Sequence, residues 1–63
     1  MKVKYDSEID AMFINFQEGE YEFSKEIGDG IIIDLSKEGK VLRIEILDAS
    51  EKISKENLKN MIL

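Results

Sequence analysis

Apolar and polar residues alternate in short stretches along most of this chain, the period-2 signature of half-buried β-strands. Lys2–Asp6 runs Lys-Val-Lys-Tyr-Asp, with Val3 and Tyr5 on one side. Asp6-Ser7-Glu8-Ile9-Asp10 supplies turn chemistry. Ala11–Gln17 is a second predicted strand, with Met12, Ile14 and Phe16 on one face and Phe13, Asn15 and Gln17 on the other. Gly19 marks a break, and Tyr21–Ile27 alternates again. Gly28-Asp29-Gly30 signals a turn, because glycine accepts positive φ without steric cost. Ile31–Leu35 and Val41–Leu47 are rich in β-branched residues and flank Glu38-Gly39, so Ile31–Leu47 reads as a hairpin.

The apolar pattern discriminates between registers of that hairpin. A two-residue Glu38-Gly39 turn sets Asp34 opposite Arg43 and Ile33 opposite Ile44. It gathers Ile31, Ile33, Leu35, Leu42, Ile44 and Ile46 on one face. A three-residue loop slips the pairing by one and sets Ile33 opposite Arg43, which scatters the apolar set. The first register is therefore expected. The turn before it is less decisive. A two-residue Asp29-Gly30 turn sets Ile27 opposite Ile32 and Lys25 opposite Asp34. A three-residue Gly28-Asp29-Gly30 loop sets Ile27 opposite Ile31 and Phe23 opposite Leu35, but turns Lys25 inward. The shorter loop is the slightly favoured reading.

From Asp48 the period changes to that of a helix. Ser54 is placed to cap it, with Glu56 in the first turn and Lys59 near the end, both suited to the helix dipole. Ile53 and Leu58 have the spacing of a hydrophobic staple, and Leu58, Met61 and Ile62 form one apolar stripe. Asp48 or Ser50 can cap an earlier turn. The expected fold is α+β: a small antiparallel β-meander of about five strands with a C-terminal helix, in a single domain over residues 1–63. One short helix cannot cover both faces of such a sheet. Ile32, Val41 and Leu47 fall on the face opposite the main apolar set, and a patch of that kind marks an interface, so these three are the candidate partner-binding residues.

Size sharpens that expectation. A chain of 63 residues buries only about 60% of the surface its unfolded form exposes, and small domains make up the deficit with disulfides, a metal or oligomerisation. There is no cysteine and no histidine, which removes disulfides, thiolate sites, the commonest metal ligand and the commonest neutral-pH base. A homodimer is the simplest route left. The net charge of −5, with nine scattered Lys and Arg, opposes nucleic-acid binding by the chain alone and favours a small basic protein as partner. The longest apolar run is the four residues Ala11–Ile14, far too short to span a bilayer, and the N-terminus has no apolar signal core, so no membrane association and a cytoplasmic location are expected.

Each candidate chemistry has a simpler explanation. Asp6, Glu8 and Asp10 alternate like the start of a calcium loop, yet Ala11 and Met12 follow where such a loop needs a glycine and further ligands. A turn whose aspartates bond local amides is preferred. Asp34 with Glu45 or Asp48 could be read as a hydrolytic carboxylate pair, but Asp34 opposite Arg43 favours an ion pair. Ser7, Ser24, Ser36, Ser50 and Ser54 lack a histidine to activate them. Gly28-Asp29-Gly30 lacks the helix and the Lys-Ser/Thr ending of a phosphate loop. No catalytic residue, metal ligand or cofactor is assigned, and an enzyme is not expected.

Three segments resemble a known family: Lys4–Ile14 (KYDSEIDAMFI), Glu26–Asp34 (EIGDGIIID) and Gly39–Ser50 (GKVLRIEILDAS). Together they look like the short YuzE-like proteins, domain of unknown function 2283, with Ile44–Ser50 the most specific part. Ser7 departs from the proline often found in the first turn, and Arg43 stands where a glycine is common. The resemblance implies no established activity. Its relatives encoded beside small toxin-like proteins imply an antitoxin-like or accessory binding role. The expected function is thus a non-enzymatic protein–protein interaction module, with an antitoxin-like partner role as its narrower form. The alternative is a carboxylate-based module for a small ligand or a divalent cation.

Overall fold

A computed structural model describes residues 1–61. Five strands form one antiparallel sheet: β1 (Lys2–Asp6), β2 (Ala11–Asn15), β3 (Tyr21–Glu26), β4 (Ile31–Ser36) and β5 (Val41–Leu47). Two short helices follow, α1 (Ala49–Lys52) and α2 (Lys55–Met61). The spatial order is β1-β2-β5-β4-β3. The β1–β2 hairpin and the β3–β4–β5 meander are thus two local units, joined where β2 pairs with β5. Residues 16–20 connect them as a strap across the ends of β5 and β4. Gln17 Nε2 donates to the Val41 carbonyl at 3.0 Å, and the Lys37 amide donates to the Glu20 carbonyl at 3.3 Å.

The β4–β5 pairing sets Ile31 opposite Ile46, Ile33 opposite Ile44 and Asp34 opposite Arg43, as the apolar pattern requires. The hairpin tip differs from a plain two-residue turn. The Ser36 amide bonds the Lys40 carbonyl, leaving Lys37, Glu38 and Gly39 as a three-residue loop with Gly39 at φ 84°. A bulge between Asp34 and Leu35 sets Leu35 opposite Val41 and recovers the register farther along. The extra residue is Leu42, and it is buried under the strap: a Cβ on Gly19 would come within 2.8 Å of Leu42 Cδ2. Leu42 therefore packs against the strap rather than extending the Ile44–Ile46 row.

The preceding turn takes the longer form, against the favoured reading. Phe23 lies opposite Leu35, Ser24 opposite Asp34 and Lys25 opposite Ile33, and the Ile27 amide donates to the Ile31 carbonyl. Gly28 and Gly30 both hold positive φ, and Glu26 Oε2 accepts from the Gly30 amide at 3.0 Å. The physical reason is a trade between two side chains. This register gives buried Asp34 a hydrogen bond from Ser24, while Lys25, on an edge strand, reaches solvent along its own stem.

The tail folds as two helical turns. Ser54 Oγ accepts from the Asn57 amide at 3.3 Å and caps α2, as expected. Leu58 is buried and Ile53 packs beside it, whereas Met61 is exposed; Ile62 lies outside the described residues. Met12, Ala49 and Leu58 form the core, flanked by Tyr5, Ile14, Ile46 and Ile53. Asp48 sits at the head of α1 at φ 50° with no side-chain cap bond. That cap comes from Asp10, whose carboxylate receives the Ser50 amide and hydroxyl as well as the Tyr5 hydroxyl. Asp6 does bond a local amide, that of Glu8, but Asp10 reaches across the fold instead of bonding its own turn.

Candidate functional site

The register sorts the sheet into two unlike faces. On the helix side, three rows cross the strands. Ile27, Ile31, Ile46, Met12 and Tyr5 form one, and Lys25, Ile33, Ile44, Ile14 and Val3 the next. Phe23, Leu35 and Val41 begin the third. The helices cover the β1, β2 and β5 end of these rows. They leave a shelf over β3 and β4, where Phe23 is 49% and Ile27 45% exposed beside half-buried Ile31, Ile33 and Leu35. This shelf is apolar except for Lys25.

The opposite face carries a polar network instead of an apolar patch. Asp34, 3% exposed, accepts from Ser24 Oγ at 2.6 Å through Oδ1 and from Arg43 Nε at 2.8 Å through Oδ2. Tyr21 and Ser24 share a hydroxyl–hydroxyl bond of 2.7 Å. The Arg43 guanidinium also lies 3.6 Å from Glu45 Oε2 and stands 5.8 Å above the Phe13 ring. Burial alone would raise the Asp34 carboxyl, but the hydrogen bonds it accepts from Ser24 and Arg43 hold it below the ordinary carboxylate value. Glu45 moves the other way, raised first by burial and then by the neighbouring Asp34. Arg43 is raised chiefly by its bond to Asp34. Both Asp34 oxygens are occupied by internal donors, so this carboxylate ties β3, β4 and β5 together. Beside it, under the strap, lies an open cleft of about 260 Å³ lined by Asn15, Gln17, Tyr21, Leu42 and Arg43 among others.

Ile32, Val41 and Leu47 do not form one patch. Ile32 pairs with Glu26 and Glu45, beside the network. Leu47 is at the far end of β5 against Gly30. Val41 opens β5 and faces Leu35 in the third row of the shelf side. It stands six residues from Leu47, roughly 20 Å along an extended strand. The charged network lies between them. The shelf gathers exposed Phe23 and Ile27 on the helix side, whereas the shorter β3 turn would set them on the other face beside Ile32. Ser24 as a partner of Asp34, with Tyr21 behind it, was outside the favoured reading because their meeting depends on the same register. Among the described residues no group of three or more Asp, Glu, His or Cys gathers in metal-binding reach. No helix among them is long and apolar enough to cross a membrane.

Comparison with known proteins gives a family without a known activity. The profile described as protein of unknown function (DUF2283) matches residues 2–50. A Methanosarcina mazei protein named "Putative hypoxanthine phosphoribosyltransferase" is 39% identical over 62 residues, covering 95% of this chain and 50% of that protein. The chain thus spans about half the length of this curated relative. No solved structure matches. With 49 of its 63 residues matched, all five strands among them, this chain belongs to the DUF2283 family of proteins of unknown function.

Proposed function

We propose that this protein is a protein–protein interaction module that uses the apolar shelf over β3 and β4. The carrying observation is the exposure of Phe23 and Ile27 beside Ile31, Ile33 and Leu35 on the face that otherwise holds the core. Contiguous apolar surface of that kind mostly marks a binding site. The net charge of −5 supports a basic protein as one class of partner, and an antitoxin-like role is the narrower form of the reading. The test is a pull-down from the protein's own host with two baits, the natural chain and Phe23→Asp. Proteins retained by the first and lost by the second, untagged copies of the chain included, support the reading. Retention indifferent to Phe23, or none, overturns it.

The cleft under the strap favours a second reading, a small polar ligand held by Asn15, Gln17, Tyr21 and Arg43. A thermal-shift screen of small polar metabolites and divalent cations tests it. Saturation at a hundred times Kd adds about 2.7 kcal/mol, a large change for so small a domain. The activity in the relative's name belongs to a protein of twice this span. It gains no support from Gly28–Gly30, which joins two strands instead of leading into a helix.

A further inference from the structure

Resting on the interaction-module reading, we infer that the partner binds by strand addition: an extended segment of another protein, alternating basic and apolar residues, pairs with the free edge of β3 and lays its apolar side chains beside Phe23 and Ile27. Three observations carry this. The first is the backbone. The Ile27 amide donates to the Ile31 carbonyl, so Phe23, Lys25 and Ile27 turn their main-chain groups toward β4. The alternate residues Ser24 and Glu26 aim theirs away from the sheet, on a strand exposed from end to end. Such an edge is a template for a sixth strand.

The second is charge. Residues 18–29 carry Glu18, Glu20, Glu22, Glu26 and Asp29 against Lys25 alone, a net −4 of the chain's −5. The acidity of the protein is thus concentrated on β3 and the two connections that bracket it. The other free edge is unlike it: β1 carries Lys2 and Lys4, and α2 packs against it. A strand added to β3 points alternate side chains to opposite sides of the sheet. On the shelf side they meet Phe23 and Ile27, and on the other side they meet Glu26 and its acidic surroundings.

The third is what the edge rejects. Antiparallel pairing of β3 with a second β3 through Ser24 and Glu26 has three registers. Ser24 against Ser24 brings Glu22 to the other copy's Glu26. Ser24 against Glu26 sets Lys25 opposite Lys25, and Glu26 against Glu26 is itself a like pair. Every register opposes like charges, so the edge disfavours a symmetric dimer and selects a strand of opposite sign.

Amide NMR of the full chain reads the edge directly. The probe is an acetylated and amidated heptapeptide alternating lysine and valine. It is expected to slow hydrogen exchange at the Ser24 and Glu26 amides, with an affinity that falls as salt is added. The same peptide with glutamate for lysine is expected not to bind. Two further peptides, N-methylated at the lysines or at the valines, remove the main-chain donors that antiparallel or parallel addition would use. At least one is expected to bind about tenfold more weakly, the scale of a lost hydrogen bond. No binding at millimolar peptide, protection away from β3, or parent-like affinity of both methylated peptides overturns strand addition. Ser24 and Glu26 signals that shift with the concentration of the chain alone give the edge to a second copy and overturn it as well. If strand addition fails while the pull-down still depends on Phe23, the interaction-module reading stands without it.

Discussion

Asp10, in the first turn of the sheet, caps α1 through Ser50, forty residues later: its Oδ2 accepts from Ser50 Oγ at 2.7 Å and its Oδ1 from the Ser50 amide at 3.1 Å. The Ala49 amide bonds the Asp10 carbonyl as well. One residue therefore anchors the helical tail to the β1–β2 hairpin. Asp10→Gly removes the side chain while tolerating the residue's φ of 52°. It is expected to lower the urea midpoint more than Ser50→Ala does. In a double-mutant cycle the two losses are expected to be non-additive, the second substitution costing less in the background of the first.

The small core makes single truncations severe. Met12 is fully buried between the helices and β1. Met12→Ala is expected to cost about 2–5 kcal/mol. A 63-residue domain has only about 3–9 kcal/mol to lose at typical stability per residue, so circular dichroism at room temperature should already show a large unfolded fraction.

Acid should first strengthen and then weaken the fold. Glu45 has a folded pKa raised above its ordinary 4.5, so the native state binds more protons than the unfolded state between 4.5 and that raised value. Its contribution is fully present below 4.5 and is lost as pH rises through the folded pKa. Asp10 and Asp34 are lowered from 3.8, so their contributions are present above 3.8 and lost as pH falls through their folded values. The thermal midpoint is expected to peak on the acid side of neutrality. Glu45→Gln should flatten the decline above the peak and leave the acid limb in place.

Arg43→Ala leaves Asp34 buried with one oxygen unpaired. The expected loss is about 1–3 kcal/mol, held down because the Arg43 side chain is 44% exposed and partly solvated already. Arg43→Lys should recover little, since a point charge does not reproduce the Nε contact at that angle. Chemical denaturation of the three proteins under one buffer decides this.

Gly28 and Gly30 should separate under the same substitution. Both have positive φ, but a Cβ at Gly28 meets nothing within 4 Å, whereas one at Gly30 would lie 3.3 Å from Leu47 Cβ. Gly28→Ala is expected to cost about 1–2 kcal/mol from backbone conformation alone. Gly30→Ala should cost more, and thermal denaturation of the two side by side gives the order.

Much of this architecture is written in local pattern. The strands, the Asp34–Arg43 pairing, the Ser54 cap and the Ile53–Leu58 packing all follow from spacing and residue type, because each involves neighbours in the chain or in one hairpin. What pattern could not supply were the choices made by distant parts. The bulge at Leu42 exists because the strap carries Gly19 over it, and nothing near Leu42 announces that crossing. The β3 register turns on whether Lys25 or Ser24 faces Asp34, and an ion pair looks as good on paper as the hydroxyl bond that the sheet adopts. With that single step of register, the uncovered apolar surface moves from one side of the molecule to the other.

The strap also divides the molecule in time. Every neighbouring strand pair but one is closed by a short turn; the β2–β5 ladder instead joins residues from Asn15 and Arg43, twenty-eight positions apart, to Ala11 and Leu47, thirty-six apart. Turns of a few residues close in well under a microsecond, whereas joining the two hairpin units must wait on a long search for one another. The β1–β2 hairpin and the β3–β4–β5 meander are therefore expected to form first, with their docking as the slow step. Until then Leu42 lacks the cover that Gly19 brings, so fluorescence or exchange probes at the strap are expected to report the last step of folding rather than the first.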